Sequence, residues 1–394
     1  MDFDVIVIGA GPAGLCVSSA LAARGFKVGI VERLPLAAIA EPAFDGREIA
    51  LTHRSVRILR DAGVWEHIPA AQVSELRRAA VLNGSSPYRL RFDPTPGSEA
   101  VLGHLVANHL IRHAAYRRAT ESPAVTILSD RTVLSLHADA RDAVVKTADG
   151  EAWRCRLVIA ADSRHSQARR AAGIAADMVD FGKTMLVCRM RHQAPHDHTA
   201  LEWFQDAFTI ALLPLNADES SVVITETSGE AARLQSLDEP AFELDVRQRL
   251  GDRLGAMTLT STRHLYPLVA TYSRRFVGPR LALVGDAAVG MHPVTAHGFN
   301  LALQSQEALL QELTREGSRS LDEGVDARLR RYEARHRRAS LPLYLATNAI
   351  VRLYTDRRPI AGIFRQAALR LGNHLRPLNA SIVGLLSESG AGRR

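Results

Sequence analysis

The residues of this chain best suited to chemistry are carboxylates and glycines at the ends of apolar runs. Glu32 closes Phe26–Val31, Asp162 closes Leu157–Ala161 and Asp286 closes Leu281–Val284. Short runs rich in branched apolar residues read as buried parallel strands, and open α/β sheets bind ligands outside the carboxyl ends of such strands. Carboxylates gathered there suit an elongated ligand with several hydroxyls. Ahead of the first acid, Asp4–Ile8 is followed by Gly9, Gly11 and Gly14 in the G-x-G-x-x-G spacing, with Pro12 and Ala13 between them. Gly9 permits a sharp turn, Gly11 lets a pyrophosphate approach the backbone, and Gly14 lets the helix pack closely on the strand. A helix starting at Pro12-Ala13 aims its free N–H groups at the phosphates. Glu32 then stands where it can accept from a ribose diol. Strand, triplet, helix, strand and acid in that order imply a bound dinucleotide.

A second constellation follows Asp286: Gly285-Asp286-Ala287-Ala288, then His292-Pro293, then Gly298-Phe299-Asn300. A helix beginning at Gly298 presents N–H groups and a positive dipole end to an electron-rich group. A histidine ordinarily titrates near neutrality, so His292 and His297 are acid–base candidates, with a structural hydrogen bond in a ligand-lining loop as the other reading. Asp162 reads equally well as a strand-end turn residue. Arg47 lies in the loop segment 34–50, where an arginine ordinarily reads as a surface residue. His192, His196 and His198 fall in a turn between strands with no fourth ligand in view, so a solvated loop is expected and a metal is not. Cys16, Cys155 and Cys188 show neither metal nor disulfide spacing, which suits a reducing compartment.

The elements that must position these groups form two domains or an intimately joined pair, given 394 residues with 46% hydrophobic content. Thr52 or Ser55 caps a helix through Asp61. Glu75–Leu82 and Tyr88–Phe92 read as strands, followed by a turn-rich exit at Pro94, Pro96 and Gly97. Val101–Arg118 has the apolar spacing of a helix. Val125–Leu128 and Thr132–His137 are strands, and Ala143–Thr147 and Trp153–Cys155 form a hairpin around Asp149-Gly150. From Lys183 to Pro267, strands at Thr184–Arg191, Leu201–Phe204, Thr209–Leu213, Ser221–Glu226 and Met257–Leu265 predict an inserted antiparallel sheet, interrupted by one helix over 238–251. A long helix is expected from Gly298 to about Glu316, with helices beyond it and Pro342 as a start or kink.

No apolar run is long enough to cross a bilayer. The net charge of +7 is uneven: Asp326–Arg394 holds fourteen Arg against four acids, or +10, which leaves −3 for the remainder. Ile360–Leu386 spaces its apolar residues as a basic amphipathic helix, read either as a membrane rest or as an ordinary packed helix. Such a segment suits an anionic membrane face or an acidic protein partner; nucleic acid ranks last because no motif for it is present.

Three motifs together resemble the single-component flavoprotein aromatic hydroxylases of the para-hydroxybenzoate hydroxylase type. They are the glycine triplet with Glu32, the segment Ala161-Asp162-Ser163-Arg164 with Arg169-Arg170, and GDAAVGMHPVTAHGFNLAL from Gly285 to Leu303. Within that group the sequence is most similar to the ubiquinone-biosynthesis hydroxylases, through Asp45–Trp65, Leu102–Ala114 and Ile210–Leu215. It departs from the pattern at Ser163 (the second residue of an Asp-Gly pair), at Val289 (usually His) and at His297 (commonly Gln).

The resemblance implies an α/β fold: a Rossmann-like FAD-binding domain (1–70, 100–180, 268–345), an inserted antiparallel-sheet substrate domain (71–99, 181–267) and C-terminal helices, the basic segment being 346–394. It implies FAD as cofactor, NAD(P)H as a transient donor, and hydroxylation of a polyprenylated phenol or quinol through a C4a-hydroperoxyflavin in ubiquinone synthesis. Hydroxylation of a soluble aromatic, or a flavin-binding structural role in a biosynthetic complex, are the alternatives. Gly9, Gly11, Pro12, Ala13 and Gly14 would hold the pyrophosphate and Glu32 the adenosine ribose, with Arg33 and Val133 among the other cofactor-binding residues. Arg47, Asp162, Gly285 and Asp286 would reach phosphate or ribityl groups. Pro293 would line the flavin face, and Gly298, Phe299 and Asn300 would give N–H groups to the pyrimidine edge. Pro293, His292 and His297 are the catalytic candidates. The implied setting is cytoplasmic, peripheral on the inner membrane face, with other ubiquinone-pathway enzymes as partners and an oligomer left open.

Overall fold

A computed structural model describes residues 1–86, 88–93, 101–216, 218–292, 298–315, 321 and 324–355. The strand β1 (Phe3–Ile8), the helix α1 (Pro12–Ala22) and the strand β2 (Val28–Val31) form the expected N-terminal unit. Leu281–Leu283, Ala152–Ala160, β1, β2 and Val125–Leu128 run parallel in that order. Val5, Ile6 and Val7 are fully buried, as a continuous apolar run demands of a strand covered on both faces. The hairpin Val133–Ala138 and Ala143–Thr147 continues this sheet antiparallel from Ala152–Ala160.

The second sheet is antiparallel through its centre and built on the long strand Ala176–His192. That strand pairs with Glu219–Thr227 on one side and His264–Ser273 on the other. One face carries Leu186, Cys188, Met190, Ile210, Leu212, Val222 and Ile224 against Leu234, Phe242 and Val246 of two helices. The other face carries Phe181, Met185, Val187, Val223, Tyr266 and Leu268. A three-stranded sheet of Glu48–Leu51, Gly103–Ala107 and Ser74–Leu76 completes the fold.

Several expectations are corrected. Val101–Arg118 is not one helix: Gly103–Ala107 is a strand, and the helix is Asn108–Thr120. A Cβ at Gly103 would stand 2.4 Å from the Leu51 carbonyl oxygen, so close strand pairing overrides the helical spacing there. Glu75–Leu82 is divided between two sheets, as Ser74–Leu76 and Arg78–Asn83. The helix expected over 238–251 is present as Glu239–Arg249, and a further, unanticipated helix, Ser228–Ser236, precedes it. Thr227 caps Ser228–Ser236 through the Glu230 N–H, and Asp238 caps Glu239–Arg249 through the Ala241 N–H. The segment 34–50 holds a short helix, Leu36–Ala40, before Glu48–Leu51. Pro342 lies inside the helix Val325–Thr355. The turn at Pro94–Gly97 and the amphipathic stretch Ile360–Leu386 lie outside the described residues.

Ser163 has φ +122°, in the left-handed region that favours glycine. The backbone therefore keeps the conformation of an Asp-Gly pair while a side chain occupies it. Ser163→Gly is expected to raise stability by about 1 kcal/mol by relieving this strain. Urea unfolding checks this, and an unchanged midpoint would remove the strain argument.

Candidate active site

The glycine turn is a close-packed joint with one open position. A Cβ at Gly9 (φ +105°) would lie 2.7 Å from the Ala161 oxygen, and one at Gly14 only 1.9 Å from the Gly9 oxygen. A Cβ at Gly11 would meet nothing within 4 Å. Gly11 is the N-cap of α1 and Pro12 its first residue, with no side chain capping the turn. The first N–H groups of α1 are thus left for a ligand. Glu32 fixes this turn to the end of β2: its carboxylate accepts from the Ala10 N–H at 2.6 Å and the Leu34 N–H at 3.0 Å. Arg131 N–H donates to the Glu32 carbonyl at 2.8 Å, which brings the approach to Val133 alongside. Arg33 is exposed.

The second acid motif meets the first. Gly285 (φ +59°) faces Ala13 and Ala302, whose Cβ atoms would lie 3.3 and 3.4 Å from an added one. This sets Asp286 beside both α1 and the helix Gly298–Leu313. Asp286 pairs with Arg164 at 3.3 Å, and Arg164 also donates to the Val269 carbonyl at 2.7 Å. Asp162 does take the turn role, accepting from the Gln167 and Ala168 N–H groups at 2.7 and 3.2 Å. Its other oxygen, Oδ1, is buried without a partner. The Asn300 side chain is spent on the fold: it donates to the Ala50 carbonyl at 2.8 Å and accepts from the Thr52 N–H at 3.2 Å. Phe299 packs on the main core. Only the helix-end backbone is left for a ligand, and a Cβ on Gly298 would meet nothing within 4 Å among the described residues.

Arg47 ties the segment before Glu48–Leu51 to the strand His264–Ser273 of the second sheet. Asp45 holds it at 2.6 Å, and its guanidinium lies 5.2 Å from the centre of the Tyr266 ring. Tyr266 donates to the Asp45 carbonyl at 2.6 Å, and Asn108 donates to the Asp45 carboxylate at 2.7 Å. Burial would lower the Arg47 pKa, but Asp45, Tyr266 and Asp286 together hold it above its ordinary value. The Asp45 carboxyl is kept below its usual value: burial raises it, and the charge and hydrogen bonds of Arg47 outweigh that.

Sequence reasoning missed Arg112. It makes no hydrogen bond or ion pair with any described residue. Burial pulls its pKa down, against the charges of Asp45 and Glu32. Such a guanidinium lacks its anion. Its signal was its place four residues, one helical turn, after Asn108 inside a stretch already noted for its resemblance.

The catalytic candidates divide. His292 is buried, its ring edge against Phe181 at 4.8 Å. Burial, with Arg164 nearby, pushes its pKa down to about 4, so it is neutral at pH 7. Pro293 and His297 lie outside the described residues. The expectation of a solvated loop for the histidine trio is corrected: His192 is buried and bonded to Ser220 at 2.9 Å, and His196 stacks edge-on against both neighbours. No group of metal-ligating residues occurs among the described residues.

These features fit FAD. Among the described residues, an open glycine at each of two helix N-termini, a buried carboxylate oxygen without a partner and a guanidinium without an ion pair lie around one line of strand ends. Arg112→Ala is expected to weaken flavin binding about 10- to 100-fold, the loss of a charged hydrogen bond, without lowering apoprotein stability. Flavin-fluorescence titration measures this, and wild-type affinity in the variant would remove Arg112 from the site.

Comparison with known proteins agrees. The family model described as "FAD binding domain" matches residues 2–342. The chain is 44% identical to ubiquinone hydroxylase UbiM of Neisseria meningitidis, over 98% of this chain and 84% of that one. It is 33% identical to ubiquinone hydroxylase UbiL of Rhodospirillum rubrum, over 91% of this chain and 83% of that one. Among solved structures, PqsL of Pseudomonas aeruginosa superposes with a TM-score of 0.76 at 21% identity, over 92% of this chain and 99% of that one. p-Nitrophenol 4-monooxygenase PnpA of Pseudomonas putida gives 0.75 at 19% identity, over 99% of this chain and 98% of that one, so both show the shared fold. The chain belongs to the FAD-binding family that this model describes, together with the ubiquinone hydroxylases UbiM and UbiL.

Proposed function

We propose that this chain hydroxylates the aromatic ring of a polyprenylated phenol or quinol in ubiquinone biosynthesis, with FAD as bound cofactor, O₂ as oxidant and NAD(P)H as donor. The observation that carries the reading is the 44% identity to a ubiquinone hydroxylase across 98% of the chain. Bound FAD supplies the redox chemistry that activates O₂ toward an electron-rich ring.

The protein's own residues bind, orient and dry the site. Glu32, Arg112 and the first turn of α1 take the adenosine and pyrophosphate end. Asp286 and Arg47 take the polyol, and the N-terminus of Gly298–Leu313 offers N–H groups and its dipole to the ring edge. Phe181, Met185, Val187 and Val223 form the apolar floor that excludes water from the reacting region. His292 serves as a neutral hydrogen-bonding wall of that region and not as a proton carrier near pH 7.

The test is twofold. Cells lacking the protein should accumulate a quinone precursor missing one hydroxyl, and purified holoenzyme should place ¹⁸O from ¹⁸O₂ into the product. An unlabelled product removes the monooxygenase reading. A normal ubiquinone pool moves the assignment to a soluble aromatic.

No helix among the described residues is long and apolar enough to cross a membrane. Leu341 and Leu345, about one turn apart on the helix Val325–Thr355, are both exposed and support a peripheral membrane contact. Flotation with anionic vesicles should carry the protein upward, and Leu345→Glu should reduce it. Equal flotation of the two would exclude this face.

A further inference from the structure

Glu202 lies in the strand Thr199–Phe204 of the second sheet. Its neighbours Leu201 and Trp203 pack with the helix-covered face. Side chains alternate along a strand, so Glu202 is on the opposite face, the one that looks toward the cofactor loop. Register places it in a row that crosses the sheet: Val81, Glu202, Ala211, Val223, Val187. At the far end of that row, Val187 and Val223 cluster with Phe181, Met185, Tyr266 and Leu268. Phe181 touches His292, and Tyr266 underlies Arg47. At the near end Val81 clusters with Leu76, Leu90, Phe92 and Leu102.

One carboxyl therefore stands in an apolar floor, three strand spacings or roughly 14 Å from Val187. It is half-buried and makes no hydrogen bond or ion pair with any described residue. Burial alone pushes its pKa up to about 8. An unpaired carboxyl in apolar surroundings is costly to the fold and marks a place where a ligand supplies the missing partner.

We propose that Glu202 pairs with a free hydroxyl on the substrate's aromatic ring and so selects phenols and quinols over rings that lack the hydroxyl. This rests on the reading of the chain as an aromatic-ring hydroxylase. A carboxyl offers one O–H donor and an acceptor oxygen when protonated, and acceptors when ionised, so it matches a hydroxyl in either state. A ring without the hydroxyl leaves the carboxyl unpaired and is rejected for that reason.

The test uses the FAD-loaded protein and two probes, 2-prenylphenol and prenylbenzene, with binding read by calorimetry. The wild type should bind the phenol about 10- to 100-fold tighter than the hydrocarbon, the range of one desolvated hydrogen bond. Glu202→Leu should erase that preference while retaining flavin, and Glu202→Gln should keep most of it. Glu202→Met serves the same end if the Leu variant fails to fold. The same preference in Glu202→Leu as in the wild type overturns the proposal, as does no preference, or no binding of either probe, in the wild type. Labelled oxygen in the product is read separately, so a failed hydroxylase reading and a failed Glu202 assignment give different results.

Discussion

Gly14→Ala should strongly destabilise the fold, while Gly11→Ala, three residues earlier, should leave the fold intact and weaken flavin binding. At Gly14 an added Cβ would stand 1.9 Å from the Gly9 carbonyl oxygen and 3.0 Å from its carbon. These are backbone atoms, and Gly9 is itself pressed on the backbone at Ala161, so nothing nearby can swing aside. The helix α1 must move off β1. Overpacking of a rigid site costs about 1–3 kcal/mol and more where backbone blocks relaxation. That is a large share of the roughly 5–15 kcal/mol that stabilises a typical domain. At Gly11 the backbone is extended, with φ −70° and ψ 176°, which any residue adopts, and the added methyl meets open space. The apoprotein should keep its Tm or gain a little, since alanine restricts the unfolded chain more than glycine does. The methyl would then stand where the pyrophosphate approaches, and flavin affinity should fall at least tenfold. Calorimetric Tm of the apoproteins and fluorescence titration with FAD separate the two effects. A wild-type Tm in Gly14→Ala, or wild-type flavin affinity in Gly11→Ala, would contradict the geometry.

Arg189→Met should cost about 3 kcal/mol at pH 8 and much less at pH 5. Arg189 reaches Glu48 through two donors, at 2.8 and 2.5 Å, across the junction between the second sheet and the three-stranded sheet. The Glu48 side chain is only 1% exposed, and the guanidinium also lies over Phe44 at 5.0 Å. Burial pushes the Glu48 pKa from 4.5 up to about 7, with Arg189 opposing the rise. A folded pKa raised above the unfolded one means that the contribution of Glu48 to stability is full below pH 4.5. It declines as pH rises through about 7. Without Arg189 the carboxylate is buried and unpaired, so the rise should be larger and the penalty should grow toward alkaline pH. Protonation at low pH removes the stranded charge. The double variant Glu48→Gln/Arg189→Met should be more stable at pH 8 than Arg189→Met alone. Urea unfolding at the two pH values decides this: an equal loss at both would show that packing over Phe44, and not the ion pair, is what the variant removes.

How far the site was legible follows from where its determinants lie. The unit from β1 to Glu32 was readable because its constraints are local. The glycine spacing, the proline at the first helical position and the apolar strands all fall within one supersecondary element. Asp162 and Asp286 were readable as strand ends, and the helix at Gly298 as a helix start. The role of Asn300 was not: its buried amide bonds to Ala50 and Thr52, far away in the chain. Arg112 looked like one more arginine on a helix. Only the fold shows that Asp45, Arg47 and Glu32 surround it while none pairs with it.

The elements misread were those whose partners are distant. Gly103–Ala107 has apolar spacing compatible with a helix. It is a strand because Glu48–Leu51 and Ser74–Leu76 pair with it on either side. The break at Arg77 likewise follows from two sheets claiming the two halves of one run. Glu202 drew no notice, because a glutamate in an alternating strand ordinarily faces water. Sequence alone determined the dinucleotide unit, the inserted sheet and the family, since spacing within a short segment restricts backbone geometry directly. Tertiary structure alone decided which charges are paired, which carboxyls are stranded and which strand faces are covered. Those outcomes depend on register and packing between segments that no local pattern encodes.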